Sequence, residues 1–115
     1  MTLIDTHAHI YYDDYSNRMD DVIQSANDNG VEKIISIGVD LKSSEKCIKL
    51  AEKYEAVYAT CGIHPHEADK APRRYLYELE EYYKHPKVLA VGEIGLDYHY
   101  DFSERKIQRK IYHEQ

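Results

Sequence analysis

At 115 residues the chain is sized for one small domain, and its 43% apolar and 31% charged residues exclude an intrinsically disordered segment. A net charge of −6 excludes a protein that grips nucleic acid through bulk positive charge, though not one that meets phosphates through bound metal ions. Cys47 and Cys61 form neither a C-x-x-C pair nor a disulfide framework, which predicts reduced, buried thiols in a cytoplasmic protein. With no leader-like or membrane-spanning apolar run, the expectation is a protein without a membrane partner.

The first predicted element is a strand over Leu3–His9. Alternate residues of an extended strand share a face, so Asp5, His7 and His9 are expected to point the same way. Ile10–Tyr15 reads as a loop. Asn17 is placed to cap a helix whose Met19, Val22, Ile23 and Ala26 recur at helical spacing, and Gly30 to end it. Lys33–Val39 reads as a strand buried on both faces, as in parallel sheets. Ser43 or Ser44 opens a second helix with the stripe Cys47, Ile48, Leu50, Ala51 and Tyr54.

Val57–Cys61 is the third strand, running into Gly62-Ile63-His64-Pro65-His66. Pro72 suits the first turn of a third helix that turns Tyr75, Leu76, Leu79, Tyr82 and Tyr83 inward. Val88–Val91 is the fourth strand, continuing into Gly92-Glu93-Ile94-Gly95-Leu96-Asp97. A fourth helix is expected from Ser103, with Phe102 and Ile107 spaced as a hydrophobic staple. The order is strand then helix, four times. Such alternation predicts an α/β fold with a parallel sheet and right-handed crossovers, and the unit length is that of a (β/α)8 barrel, of which four units are half.

Every informative polar cluster falls just past a strand's C-terminal end, the rim where parallel α/β folds bind ligands. His7 and His9 follow strand one, His64 and His66 strand three, Glu93 and Asp97 strand four. Two imidazoles and a carboxylate make a first shell for Zn, Mn or a similar divalent ion. His64 and His66 fit either contact with an anionic substrate or proton transfer on one reading, and backbone hydrogen bonding on the other. Asp5 is placed to orient a ligand histidine or to satisfy backbone donors, and Asp97 to cap a turn or hold the rim together. His85, His99, His113, Lys106, Arg109 and Lys110 read as solvated surface.

Ile4-Asp5-Thr6-His7-Ala8-His9, Cys61-Gly62-Ile63-His64-Pro65-His66 and Gly92-Glu93-Ile94-Gly95-Leu96-Asp97-Tyr98 together resemble three successive signatures of the TatD family of metal-dependent hydrolases. The resemblance implies the N-terminal half of a distorted (β/α)8 barrel of the amidohydrolase type, with residues 1–115 forming a single partial domain. It further implies one or two divalent metal ions (Zn, Mn or Mg) and hydrolysis of DNA phosphodiester bonds through metal-activated water. On it, His7 and His9 hold one metal, Glu93 is the catalytic carboxylate shared between two, and His64, with His66 a weaker candidate, contacts substrate phosphate.

The family pattern continues with two further metal-binding histidines and an aspartate on later strands, without counterparts here, and Tyr11 stands where many members carry an acidic residue. Four strands also leave open sheet edges. One alternative is therefore a non-catalytic half-barrel that is truncated or forms a homo-oligomer completing the barrel. Another is the same scaffold hydrolysing a small amide or lactone.

Overall fold

The computed structural model describes residues 1–115. Strand β1 (Leu3–Ala8) is followed by a single turn, α1 (Asp13–Ser16), and by α2 (Met19–Asp28). Strand β2 (Val31–Ile37) is followed by α3 (Leu41–Lys53). Strand β3 (Val57–Cys61) leads through a 3-10 turn at Pro65–Lys70 to α4 (Tyr75–Tyr82), and β4 (Val88–Val91) leads to α5 (Arg105–Glu114). The four strands form one parallel sheet in the order β1-β2-β3-β4. The α/β alternation expected from the sequence is the architecture found.

Crossovers of one hand between sequential strands bring the helices to one face of the sheet. There Ile34, Val57 and Ala59 pack against Met19 of α2 and Cys47 and Ala51 of α3. A second cluster joins Cys61 and Ile63 to Tyr75 and Leu79 of α4 and Ile111 of α5. The edge strands are far less covered: Leu3, Ile4, Leu89 and Val91 are all exposed. Strand β2, expected to be buried on both faces, is fully buried only at Ile34, Ser36 and Ile37, with Ile35 and its first three residues partly or wholly open.

Several local starts differ from the sequence reading. The stretch Ile10–Tyr15 is not all loop, since α1 occupies its end, and Asn17 closes that turn instead of capping α2. Arg18 precedes α2 with no side-chain cap, while Gly30, at φ +87°, ends it in the left-handed region as expected. Helix α3 begins before Ser43: the Asp40 carboxylate accepts from the Ser43 N–H at 2.7 Å and Ser43 Oγ accepts from the Asp40 N–H at 3.0 Å, a reciprocal capping box. Ser44 faces inward, where its Oγ accepts from the Gly62 N–H at 3.3 Å.

Pro72 lies before α4, its carbonyl accepting from the Tyr75 N–H at 3.0 Å. Helix α5 starts at Arg105. Ser103 is drawn out of it because its Oγ donates to the His66 carbonyl and accepts from the Asp69 N–H, at 3.2 and 3.1 Å. Phe102 is 65% exposed, so no staple to Ile107 forms.

Two glutamines face inward, Gln108 on α5 and Gln115 just past its end. Gln108, 1% exposed, accepts from the Asp97 N–H at 2.8 Å and donates to the Asp97 and Ser103 carbonyls, both at 2.9 Å. Gln115 accepts from the Ile63 N–H at 2.7 Å and donates back to the Ile63 carbonyl at 3.2 Å. A Gln108→Ala variant strips partners from buried backbone groups and leaves a void, and is expected to lose about 2–4 kcal/mol of stability in urea denaturation.

Cys47 and Cys61 are free and fully buried, and burial pushes their thiols up to about 11 and about 12. A folded-state value above the unfolded one contributes stability that is complete below the unfolded value and is lost as pH rises through the folded one. Neither thiol is therefore expected to react with a disulfide reagent at pH 8 until denaturant is added. The thermal midpoint is expected to decline as pH climbs from about 9 through that range.

Candidate metal centre

Three strand ends are drawn together by backbone bonds that continue past the regular sheet. The Gly92 N–H donates to the Cys61 carbonyl at 2.9 Å, the His64 N–H to Val39 at 2.8 Å and the Glu93 N–H to Gly38 at 2.7 Å. Gly62 permits this convergence, since a Cβ there would stand 2.8 Å from the carbonyl carbon of Gly92 and 2.9 Å from its oxygen. The result places Glu93 opposite the β1 histidines.

Glu93 Oε2 lies 3.4 Å from His7 Nε2 and 3.9 Å from His9 Nε2, while its Oε1 lies 3.6 Å from His64 Nε2. Donor atoms of His7, His9 and Glu93 all fall within 4.8 Å of one another. Two donors each about 2.1 Å from a tetrahedral ion stand roughly 3.4 Å apart. The spacing and the N,N,O donor set therefore fit a divalent ion held by His7, His9 and Glu93.

Hydrogen bonding fixes which nitrogen of each ring is free. His9 Nδ1 faces the Ile37 carbonyl at 3.1 Å, and a carbonyl only accepts, so Nδ1 carries the proton and Nε2 offers its lone pair toward Glu93. His64 is the reverse. Its Nδ1 accepts from the His66 N–H at 3.0 Å, so in the neutral ring Nε2 carries the proton and is a donor. Burial, opposed in part by the Glu93 carboxylate, lowers the His64 pKa and favours that neutral ring. His64 thus presents an N–H from Nε2, and His9 a lone pair.

Asp5 accepts from the His7 N–H at 3.0 Å, so it acts on the backbone that carries His7 and not on a ligand ring. His66 Nε2 pairs with Asp97 Oδ2 beyond the cluster. Asp97 Oδ1 accepts from the His99 and Tyr100 N–H groups at 3.0 and 3.3 Å. Burial pulls the Asp97 carboxyl up, but those two N–H groups and His66 outweigh it and hold the group below the usual carboxylate range. Lys106, Arg109, Lys110, His99 and His113 are exposed, whereas His85 is half-buried and faces Glu52 at 3.3 Å.

The sequence reading missed the residues behind the site. Tyr12 lies nearly parallel to His9, with ring centroids 5.7 Å apart. Ser44 holds Gly62, and Gln108 and Gln115 hold the two site loops. The available signal for the glutamines was their spacing: two helical turns apart, on the stripe of Ile111.

With this geometry in hand, comparison with known proteins is informative. Over 113 residues the chain is 36% identical to a protein of Bacillus subtilis named uncharacterized metal-dependent hydrolase YabD, covering 98% of this chain and 44% of that protein. Over 98 residues it is 32% identical to the 3'-5' ssDNA/RNA exonuclease TatD of Escherichia coli K12, covering 85% and 38%.

The crystal structure of YJJV, a TatD homologue from Escherichia coli K12, superposes with a TM-score of 0.89 at 33% identity, over 97% of this chain and 44% of that one. A TatD family hydrolase structure from Entamoeba histolytica gives 0.88 at 30%, over 98% and 44%. The chain thus spans less than half the length of these relatives, and its four βα units match the N-terminal half of a TIM-type barrel. Since the family described as TatD related DNase also matches residues 4–115, the chain belongs to that family.

Proposed function

We propose that the chain carries the N-terminal part of a divalent-metal site that hydrolyses phosphodiester bonds of DNA. The observation that carries this reading is the placement of Glu93 Oε2 between His7 and His9, with Oε1 turned to His64. His7, His9 and Glu93 would hold a divalent ion, which would supply Lewis acidity for activating a water and offsetting phosphoryl charge. His7 and His9 contribute neutral nitrogens, and the Ile37 carbonyl holds the His9 ring in the ligating tautomer. Glu93 would hold the ion with His7 and His9, and its second oxygen faces His64. The His64 Nε2–H is placed to donate to a non-bridging phosphate oxygen, and His66, fixed by Asp97, lines the approach. The Escherichia coli relative is a 3'-5' ssDNA/RNA exonuclease, which supports a nucleic-acid substrate. The free, buried thiols support the cytoplasmic placement.

A second reading is favoured by the exposed Leu3, Ile4, Leu89 and Val91 on the two edge strands. On it the chain pairs with a second copy that covers those edges and has no hydrolytic role of its own.

Calorimetric titration with Mn2+ or Zn2+ is expected to show stoichiometric binding. His9→Ala is expected to weaken it by more than the roughly 10–100-fold that loss of an outer partner costs. Cleavage of a labelled oligodeoxynucleotide should track added metal and vanish in Glu93→Ala. Cleavage that survives a chelator, or that persists in Glu93→Ala, would contradict the metal reading. A concentration-dependent mass in light scattering, without cleavage, would favour the second reading.

A further inference from the structure

The chain has one phenylalanine and no tryptophan, and that phenylalanine is not in the core. Phe102 is 65% exposed, and Tyr100 beside it is 61% exposed. Their rings lie within 10° of parallel with centroids 5.2 Å apart, a stacked pair open to solvent. The pair also abuts the site: the Phe102 and Tyr100 centroids are 4.8 and 5.9 Å from that of His66, both nearly perpendicular to it. One hollow of about 250 Å³ is lined by Glu93, His64, His66 and Tyr100.

The segment that bears the rings is held at both ends, so their exposure is not that of a loose loop. Upstream, Asp97 Oδ1 fixes the His99 and Tyr100 N–H groups. Downstream, the buried Ser103 hydroxyl ties the chain to His66 and Asp69. Between them Asp101, at φ 50°, receives two hydrogen bonds from Arg105 at 2.9 and 2.8 Å. A left-handed residue pinned by a bidentate ion pair sets the two rings in place before anything binds. The Arg105 guanidinium lies 4.6 Å from the centre of the Tyr98 ring, and Arg109 donates to the Tyr98 hydroxyl at 3.3 Å, so cations stand beside the same loop.

From this placement we propose that Tyr100 and Phe102 form a stacking platform for an unpaired nucleobase next to the phosphate that the His64 Nε2–H contacts. The proposal rests on the phosphodiesterase reading above and assigns to these two rings the part of that site that would hold a base. A base inside a duplex has both faces covered by its neighbours and has none to offer the rings. Stacking on exposed aromatics tolerates any base. A chain of net charge −6 lacks the bulk positive charge to hold a strand along its phosphates, so ring contacts would add to whatever contact a bound metal and His64 make with one phosphate.

The test uses the full chain in Mn2+ with a fluorescein-labelled, phosphorothioate-linked decathymidylate, read by anisotropy, beside the same strand made abasic. The double variant Tyr100→Ala, Phe102→Ala is expected to bind the base-bearing strand about 10-fold more weakly and the abasic strand unchanged. Tyr100→Phe with Phe102→Tyr is expected to bind like the parent. The platform is overturned by no measurable binding to the parent chain, by equal losses on both strands, or by unchanged binding in the double variant. It is also overturned if the double variant changes oligomeric mass and not base-dependent affinity, which would assign the rings to protein packing. Cleavage at parental KM in that variant rejects the platform and leaves the nuclease reading standing. Base-dependent binding without metal-dependent cleavage retains the platform and removes the nuclease reading.

Discussion

The site depends on the grip of α5 on two backbone segments. Gln108 and Gln115 lie two helical turns apart on one face, and each directs its amide to the main chain of a site loop. Ile111 fills the interval between them and enters the second core cluster. Backbone amides that leave a sheet at its C-terminal rim lose their strand partners and need others. The glutamines provide them, so the Gly62–His66 and Gly92–Asp97 segments are set against one rigid helix. Loop residues positioned by a regular element hold a tighter geometry than loop residues alone.

Within that frame the histidines divide the work through their hydrogen bonds. A carbonyl against His9 Nδ1 makes Nε2 a lone-pair donor, and a backbone N–H against His64 Nδ1 makes Nε2 a proton donor. The same side chain serves two roles because its backbone partner differs. Glu93 faces both kinds of ring, one oxygen toward the lone pair of His9 and the other toward the N–H of His64.

Much of this was legible in the sequence, and the limits have physical causes. Strands β3 and β4 were read with their observed bounds because short apolar runs framed by turn residues are distinctive. The strand-end positions of His64 and Glu93 followed from those bounds, whereas His7, expected past the end of the first strand, lies within β1 and only His9 follows it. Helix starts were less legible. Asp40 and Ser43 are both good capping residues, and only their reciprocal bonds identify which stands outside the helix. Ser103 and Phe102 carried a start signal of equal quality, but the tie from Ser103 to His66 and Asp69 overrode it. Gln108 was illegible because a helical glutamine in a charged stretch looks solvated, and its burial depends on a loop that arrives from β4.

The sheet order also bears on how the molecule assembles. Strands are laid down in the order of synthesis, each new one meeting the edge left by its predecessor, so no strand must be inserted between two earlier ones. Contacts between successive βα units span short stretches of chain, which lowers the loop-closure cost of each step. A nascent chain can therefore acquire its first three strands while the rest is still being translated. The ligand cluster runs on a different clock. His7 and His9 emerge first but have no carboxylate opposite them until the fourth strand docks, so the three-residue cluster forms late, after the first three strands have paired.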